Sequence, residues 1–297
     1  MQTLYTLHTS ENISSEADGI KILRNHIDAT RRLFVYLLYV ITEVARYSET
    51  DSLKRSSKNL PTEQDLNVNT RLAGSPILWK ILEDPSYKTA LAEDKPHLMH
   101  QDTSVQVKKL YDQLIESPEY AEYLTQPTRE NSIEKKILMF IFSNLILPSE
   151  DFITHLEDIF SNWGDDAEMM NLLMLNFLQK PATYNMQNLL SQEKWDFTKN
   201  LMTTVRDKSE FFLSMIKPKL KNWDPDRIAT LDMILMEMGI CEMLYFETIP
   251  TKVSINEYID LAKAYSTLQS GQFVNGVLDN IHKELESLNK IHKINHK

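Results

Sequence analysis

The sequence predicts an all-α protein, and three observations carry that prediction. Apolar residues recur at three- and four-residue spacings along most of the 297 residues, runs of strict apolar–polar alternation are nearly absent, and only 6 glycines interrupt the pattern. Hydrophobic residues make up 42% of the chain, enough to bury a core rather than remain a solvated polymer.

The elements follow in order. Ile20, Leu23, Ile27, Phe34, Leu37, Leu38, Ile41 and Ala45 outline one long helix closing near Tyr47, before a polar stretch, SETDSLKRSSKNLPTEQDLNVNT, that reads as a linker or an ordered surface loop. Shorter helices are expected around 76–83, 103–117, 130–147, 149–162 and 165–179, with Pro76, Pro85, Pro118, Pro127, Pro148 and Pro181 as separators. From 193 onward Phe197, Leu201, Val205, Phe212 and Ile216 give one face of a single helix, which Pro218 ends. Asp224 as N-cap, with Pro225 at the first helical position, opens the next, whose buried stripe is Ile228, Leu231, Leu235, Met238 and Leu244. In VSINEY, Ser254 and Glu257 have the spacing of a capping box, and Val253 and Tyr258 that of a hydrophobic staple. Ser266 with Gln269, or a cap at Ser270, then starts the last helix.

That last helix contains QSGQFVNGVLDNI. Asn275 and Gly276 form the dipeptide most expected at a tight turn, yet Phe273, Val277 and Ile281 keep helical spacing across it. A helix-interior glycine costs about 1 kcal/mol relative to alanine. The expectation is therefore that a second helix or a ligand comes close to that backbone.

Several function classes lose support. No glycine-rich phosphate loop, nucleophile elbow or HExxH pair occurs. His97 and His100 have the spacing to share a metal on a helix, but Pro96 and the absence of nearby cysteine oppose a zinc site. Asp165 and Asp166 stand where a helix begins, at the end where the dipole favours carboxylates, so they read as capping residues rather than as catalysts. No cofactor is implied. Cys241, the single cysteine, lies in an apolar helical run and packs as a small hydrophobe, as befits a reduced compartment. The apolar runs LFVYLLYVI (33–41) and ILMFIFSNLIL (137–147) fall short of the roughly 20 residues that span a bilayer, and no secretory signal opens the chain. A cytoplasmic protein without a membrane segment is expected. The net charge of −10 belongs mostly to residues 1–194, with 19 Lys/Arg against 28 Asp/Glu, while 195–297 hold 13 against 14. Nucleic-acid binding would need a local basic surface.

The segment LDMILMEMGICEMLYFETIPTKVSINEYIDLAKAYSTLQSGQFVNGVLDNI resembles the C-terminal half of the NusB family of transcription antitermination factors. Its pieces match in order: an acidic-ended apolar helix closing in E-M-L, then IPTKVSINE, LAKAYS and FVNGVLD. MQTLYTL at the start resembles the family's first helix, and FTKNLMTTVRDKSEFFLSMIKPKL its long central helix. The resemblance assigns residues 1–8 to a fragment of the first NusB-like helix and 193–297 to the NusB-like RNA-binding helical domain. Residues 9–192 become a helical extension or insertion, similar to the long NusB-like proteins of the Bacteroidetes type.

The resemblance implies a helical bundle of NusB type and a transcription antitermination factor rather than an enzyme. Such a factor binds boxA-type single-stranded RNA with the ribosomal protein NusE, as part of the RNA polymerase antitermination complex. Phe273, Gln269 and Gln272 would meet RNA from the last helix, and Gln2 and Tyr5 from the first; a plain core role for Phe273 is the alternative. Ser254, Glu257, Asn275 and Gly276 are structural positions in this scheme. Two features depart from the family pattern: no arginine-rich segment precedes MQTLYTL, and Gln269, Gly271 and Gln272 replace charged residues. Because Leu4 and Leu7 are in helical register from the outset, Met1 is expected not to be the natural start, with a basic arm lying upstream. The rival readings are a protein-binding helical scaffold without RNA, and the NusB-like module of an RNA methyltransferase.

Overall fold

The computed structural model describes residues 1–10, 15–181, 183–220 and 228–294. They are helical with no strand among them, and they form two compact units, one of residues 1–26 with 190–297, the other of 27–189. Helix α1 is Gln2–Thr9, and α2, Glu16–Ser56, passes from the first unit into the second.

In the 27–189 unit, residues Leu33 to Leu38 of α2 are fully buried and form the axis of its core. The helix does not stop at Tyr47. It runs nine residues into the polar stretch, where Arg55 pairs with Asp51 at 2.8 Å one turn back and Lys54 lies over the Tyr47 ring. Hydrophobic periodicity ends before the helix does, because the last turns are held by surface pairs.

Around α2 stand α3 (Glu63–Leu66), α4 (Pro76–Leu82), α5 (Pro85–Asp94), α6 (Thr103–Glu116), α7 (Pro118–Thr125), α8 (Asn131–Phe140), α9 (Glu150–Ile159) and α10 (Trp163–Gln179). Pro127, Pro148 and Pro181 lie between helices as expected, while the other three separators begin helices. Pro76, Pro85 and Pro118 each follow a capping residue, Ser75, Asp84 and Ser117, whose side chain accepts a first-turn N–H. This is why α5 and α7 are absent from the periodicity reading. After α8 the chain widens to a π-helix, Ile141–Ile146, with Leu147 N–H donating to the Phe142 carbonyl at 3.0 Å. The ILMFIFSNLIL run contributes Ile137, Leu138, Ile141, Phe142 and Ile146 to the core, and no single helix among the described residues is long and apolar enough to cross a membrane.

His97 lies in a 3₁₀ turn, Pro96–Leu98, and the His100 ring meets that of His155 edge-on at 4.7 Å. Buried His155 bonds the Tyr36 hydroxyl at 2.7 Å, and burial lowers its pKa. Asp165 and Asp166 are not the caps expected of them: the N-cap of α10 is Asn162, and both stand inside the first turn, where Asp166 accepts from Thr30 at 2.7 Å and from Asn162 at 2.6 Å.

The unit of 1–26 and 190–297 contains α1, the start of α2, and five further helices: α11 (Gln192–Asp207), α12 (Ser209–Ile216), α13 (Thr230–Tyr245), α14 (Thr251–Tyr265) and α15 (Leu268–Ser287). The single helix expected from 193 to Pro218 is broken at Lys208, whose φ of −115° and ψ of 16° lie outside the helical region and separate α11 from α12. The Asp224–Pro225 cap lies outside the described residues. Helix α13 is buried on nearly every side from Asp232 to Met243, rather than along one stripe, because α1, α11, α12, α14 and α15 all pack against it. Cys241 lies within it, its thiol pushed up to about 12 by burial.

The capping-box expectation is corrected. Helix α14 starts at Thr251, directly after extended Pro250, and Ser254 N–H already donates to the Pro250 carbonyl at 3.2 Å. Ser254 is thus a fully buried residue inside the helix with an unpartnered hydroxyl, Glu257 is exposed, and Val253, 46% exposed, staples nothing. Starting at Thr251 lets the helix bury Ile255, Tyr258 and Ala262 along with Thr251 and Ser254. For α15 the cap is Thr267, accepting from Ser270 N–H at 3.1 Å, and neither Ser266 nor Ser270 plays that part.

The packing expected at Asn275 and Gly276 is also corrected. Both are helical but exposed, and a Cβ built on Gly276 would meet no atom within 4 Å. The close approach is at Gly239 in α13, where a Cβ would stand 3.0 and 3.1 Å from the Leu278 methyls of α15 and 3.3 Å from the Tyr258 ring of α14.

Candidate nucleic-acid interface

Helix α15 owes its orientation to its apolar side. Val274, Val277, Leu278, Ile281 and Leu285 are buried against α12, α13 and α14, which leaves Gln269, Gln272 and Asn275 toward solvent. Phe273, half-buried, lies one turn beyond Gln269 and next to Gln272, so the three share the N-terminal half of one helix face. On α1, Thr3 and Leu4 are buried, Thr3 bonds His26 at 3.0 Å, and Gln2 and Tyr5 are exposed at i,i+3 spacing. Tyr5 is 45% exposed. The structure thus gathers the expected residues into two groups on separate helices, and α13 is the neighbour common to both.

The start of α15 is built tightly. Thr267 and Ser266 hydroxyls both lie 2.9 Å from that of Ser270, so side chains already occupy this first turn. At Gly271 the stem of Lys263 crosses the helix: a Cβ there would lie 2.7 Å from Lys263 Cγ. Glycine therefore lets an α14 lysine lie across the α15 backbone next to Gln272, with its ammonium on Asp260 at 2.9 Å. Sequence reasoning missed Lys263. The available sign was the glycine one residue before Gln272, combined with LAKAYS one short connection earlier. Near α1 the cations are also engaged, Arg206 with Asp207 at 3.1 Å and Arg24 over the Trp195 ring at 3.9 Å.

Beside α1 a cleft of about 230 Å³ is walled by Leu4, Leu7, Val205 and Ile234, with Arg206 and Glu237 as its charged residues. Burial pushes the Glu237 carboxyl up to about 7, against the opposing effect of Ser209, which donates to it at 3.0 Å. At the far end of α13, Tyr258 donates to Glu242 at 3.2 Å, and the Lys293 ammonium donates to the Glu242 and Phe246 carbonyls at 2.9 and 2.8 Å, closing the helix C-terminus.

This unit thus carries two polar–aromatic groups, Gln269, Gln272 and half-buried Phe273 on α15 and Gln2 and Tyr5 on α1, with Lys263 and Arg206 held by carboxylates and Arg24 by a ring. Comparison with known proteins agrees with the helical pieces. The NusB family model matches residues 160–283. The transcription antitermination protein NusB of Chloroherpeton thalassium is 41% identical over 98 residues, 33% of this chain and 46% of that protein. That of Finegoldia magna is 37% identical over 92 residues, 31% of this chain and 67% of that protein. The Listeria monocytogenes protein of the same name is 36% identical over 98 residues, 33% of this chain and 77% of its own length. The chain thus spans just under half of the Chloroherpeton protein and about three quarters of the Listeria one, and no solved structure matches. The chain belongs to the NusB family of transcription antitermination proteins.

Proposed function

We propose that this protein is a non-enzymatic antitermination factor that binds boxA-type single-stranded RNA together with the ribosomal protein NusE, in the cytoplasm, within an RNA polymerase antitermination complex. The observation that carries the reading is the α15 face of Gln269, Gln272 and half-buried Phe273, set in the FVNGVLD segment. Phe273 stacks on a base, Gln269 and Gln272 bond base edges or phosphate, and Gln2 and Tyr5 of α1 supply the second group of contacts. Titrating the full chain with labelled boxA-type RNA and with a scrambled RNA, with and without NusE, tests it. Preference for boxA and tighter binding with NusE are expected.

A second reading, a protein-binding scaffold, is favoured by the pairing of Lys263 with Asp260 and of Arg206 with Asp207, which lowers the positive potential available to phosphate. NusE bound with unchanged affinity in the absence of any RNA binding would select it.

A further inference from the structure

Two loops of the 27–189 unit clasp each other through arginines. Arg71, before α4, donates to the Gln126 carbonyl at 2.6 Å and also to the Thr128 carbonyl. Arg129, before α8, returns a bond to the Gly74 carbonyl. Gly74 makes this approach possible, since a Cβ there would stand 3.3 Å from Arg129 Nη1. The Arg71 guanidinium also lies over the Tyr123 ring at 5.2 Å.

All these partners are neutral. Carbonyl bonds fix the direction of a guanidinium without cancelling its charge, and the ion pairs among the described residues include neither arginine. Both line one open cleft of about 600 Å³, together with Asn69 and Thr70. Its single carboxylate, Glu49, pairs with Arg46 at 3.4 Å. Arg71 Nε is buried without a hydrogen-bond partner. Clamping the loops alone would need no second cation, because a neutral amide bonds a carbonyl as well. Two guanidiniums fixed by carbonyls on the wall of one cleft, beside Asn69 and Thr70, form instead a donor set that tetrahedral phosphate oxygens accept.

We propose that the Arg71–Arg129 cleft is a phosphate-binding site, occupied by an RNA phosphodiester or by a free phosphate or phosphomonoester. It stands independently of the α15 reading, since it lies in the other unit. The test uses the full chain, with inorganic phosphate followed by calorimetry and by ³¹P line broadening, and a labelled single-stranded RNA followed by anisotropy. Saturable one-to-one phosphate binding is expected, weakened at least tenfold in Arg129→Gln and strengthened several-fold in Glu49→Gln, with unfolding midpoints close to the parent's. If RNA is the source, phosphate competes with it and Arg129→Gln lowers the slope of log affinity against log salt by about 0.7. If the source is a free phosphate, RNA binding stays unchanged while phosphate binding falls. Phosphate binding that is unsaturable, or equal in the parent, Arg129→Gln and Glu49→Gln, together with unchanged RNA affinity, overturns the proposal and leaves the arginines as a loop clamp.

Discussion

Alanine at two helical glycines separates the observed packing from the packing expected of Asn275–Gly276. At Gly239 the new Cβ would lie 3.0 and 3.1 Å from the methyls of Leu278, inside the 3.5–4.0 Å optimum for carbon contacts. Leu278 is fully buried and Tyr258 only 4% exposed, so neither can swing into solvent to make room. Overpacking of this kind costs about 1–3 kcal/mol, and the better helix propensity of alanine returns up to about 1, giving a net loss of roughly 0–3 kcal/mol. At Gly276 nothing lies within 4 Å, so only the propensity gain remains, about 0.5–1 kcal/mol of stabilisation. Urea unfolding followed by far-ultraviolet dichroism, with amide exchange of α13 and α15 peptides, reads both effects and assigns them to this unit. Gly276→Ala should slow exchange in α15, and Gly239→Ala should quicken it in both helices. A loss of stability at Gly276, or a gain at Gly239 equal to that at Gly276, would refute the reasoning.

Ser254→Ala removes a buried hydroxyl that has no partner, so stability should stay level or rise by up to about 1–3 kcal/mol; a fall of about 1 kcal/mol in urea unfolding would restore the capping role. Glu237 has a folded pKa of about 7, above its unfolded value of 4.5, so the folded state holds the extra proton between these values. Stability therefore falls as pH rises from about 4.5 to 7 and levels off above, and Glu237→Gln should flatten that slope and raise stability at pH 8 by on the order of 1 kcal/mol, as read by unfolding at several pH values. Leu278→Ala, which empties a fully buried site, should cost about 2–5 kcal/mol of folding and leave the RNA affinity of the folded fraction unchanged by anisotropy.

The helical class and the buried runs were legible because burial imposes a period, as with Phe34, Leu37, Leu38 and Ile41 on α2. Helix ends were less so. The last turns of α2 rest on Asp51–Arg55, and α5 and α7 on Asp84 and Ser117 caps before proline, which are signals of single residues rather than of periodicity. Ser254 and Glu257 matched a capping motif by spacing alone, while extended Pro250 sets the true start. Among site residues, the side-by-side placement of Gln269, Gln272 and Phe273 follows from helical spacing. Lys263 reaches Gly271 across two helices, and Arg71 meets Arg129 across two loops, pairings that no local pattern encodes.

Contact of the α15 face with unpaired RNA is measured by anisotropy of boxA-type RNA with the parent chain and Phe273→Ala in the presence of NusE, alongside thermal unfolding of both proteins. Phe273→Ala should weaken RNA binding by about 1–3 kcal/mol and lower stability by less. RNA affinity equal in the two proteins, with a clear loss of stability in the variant, would make Phe273 a core residue with no part in RNA binding.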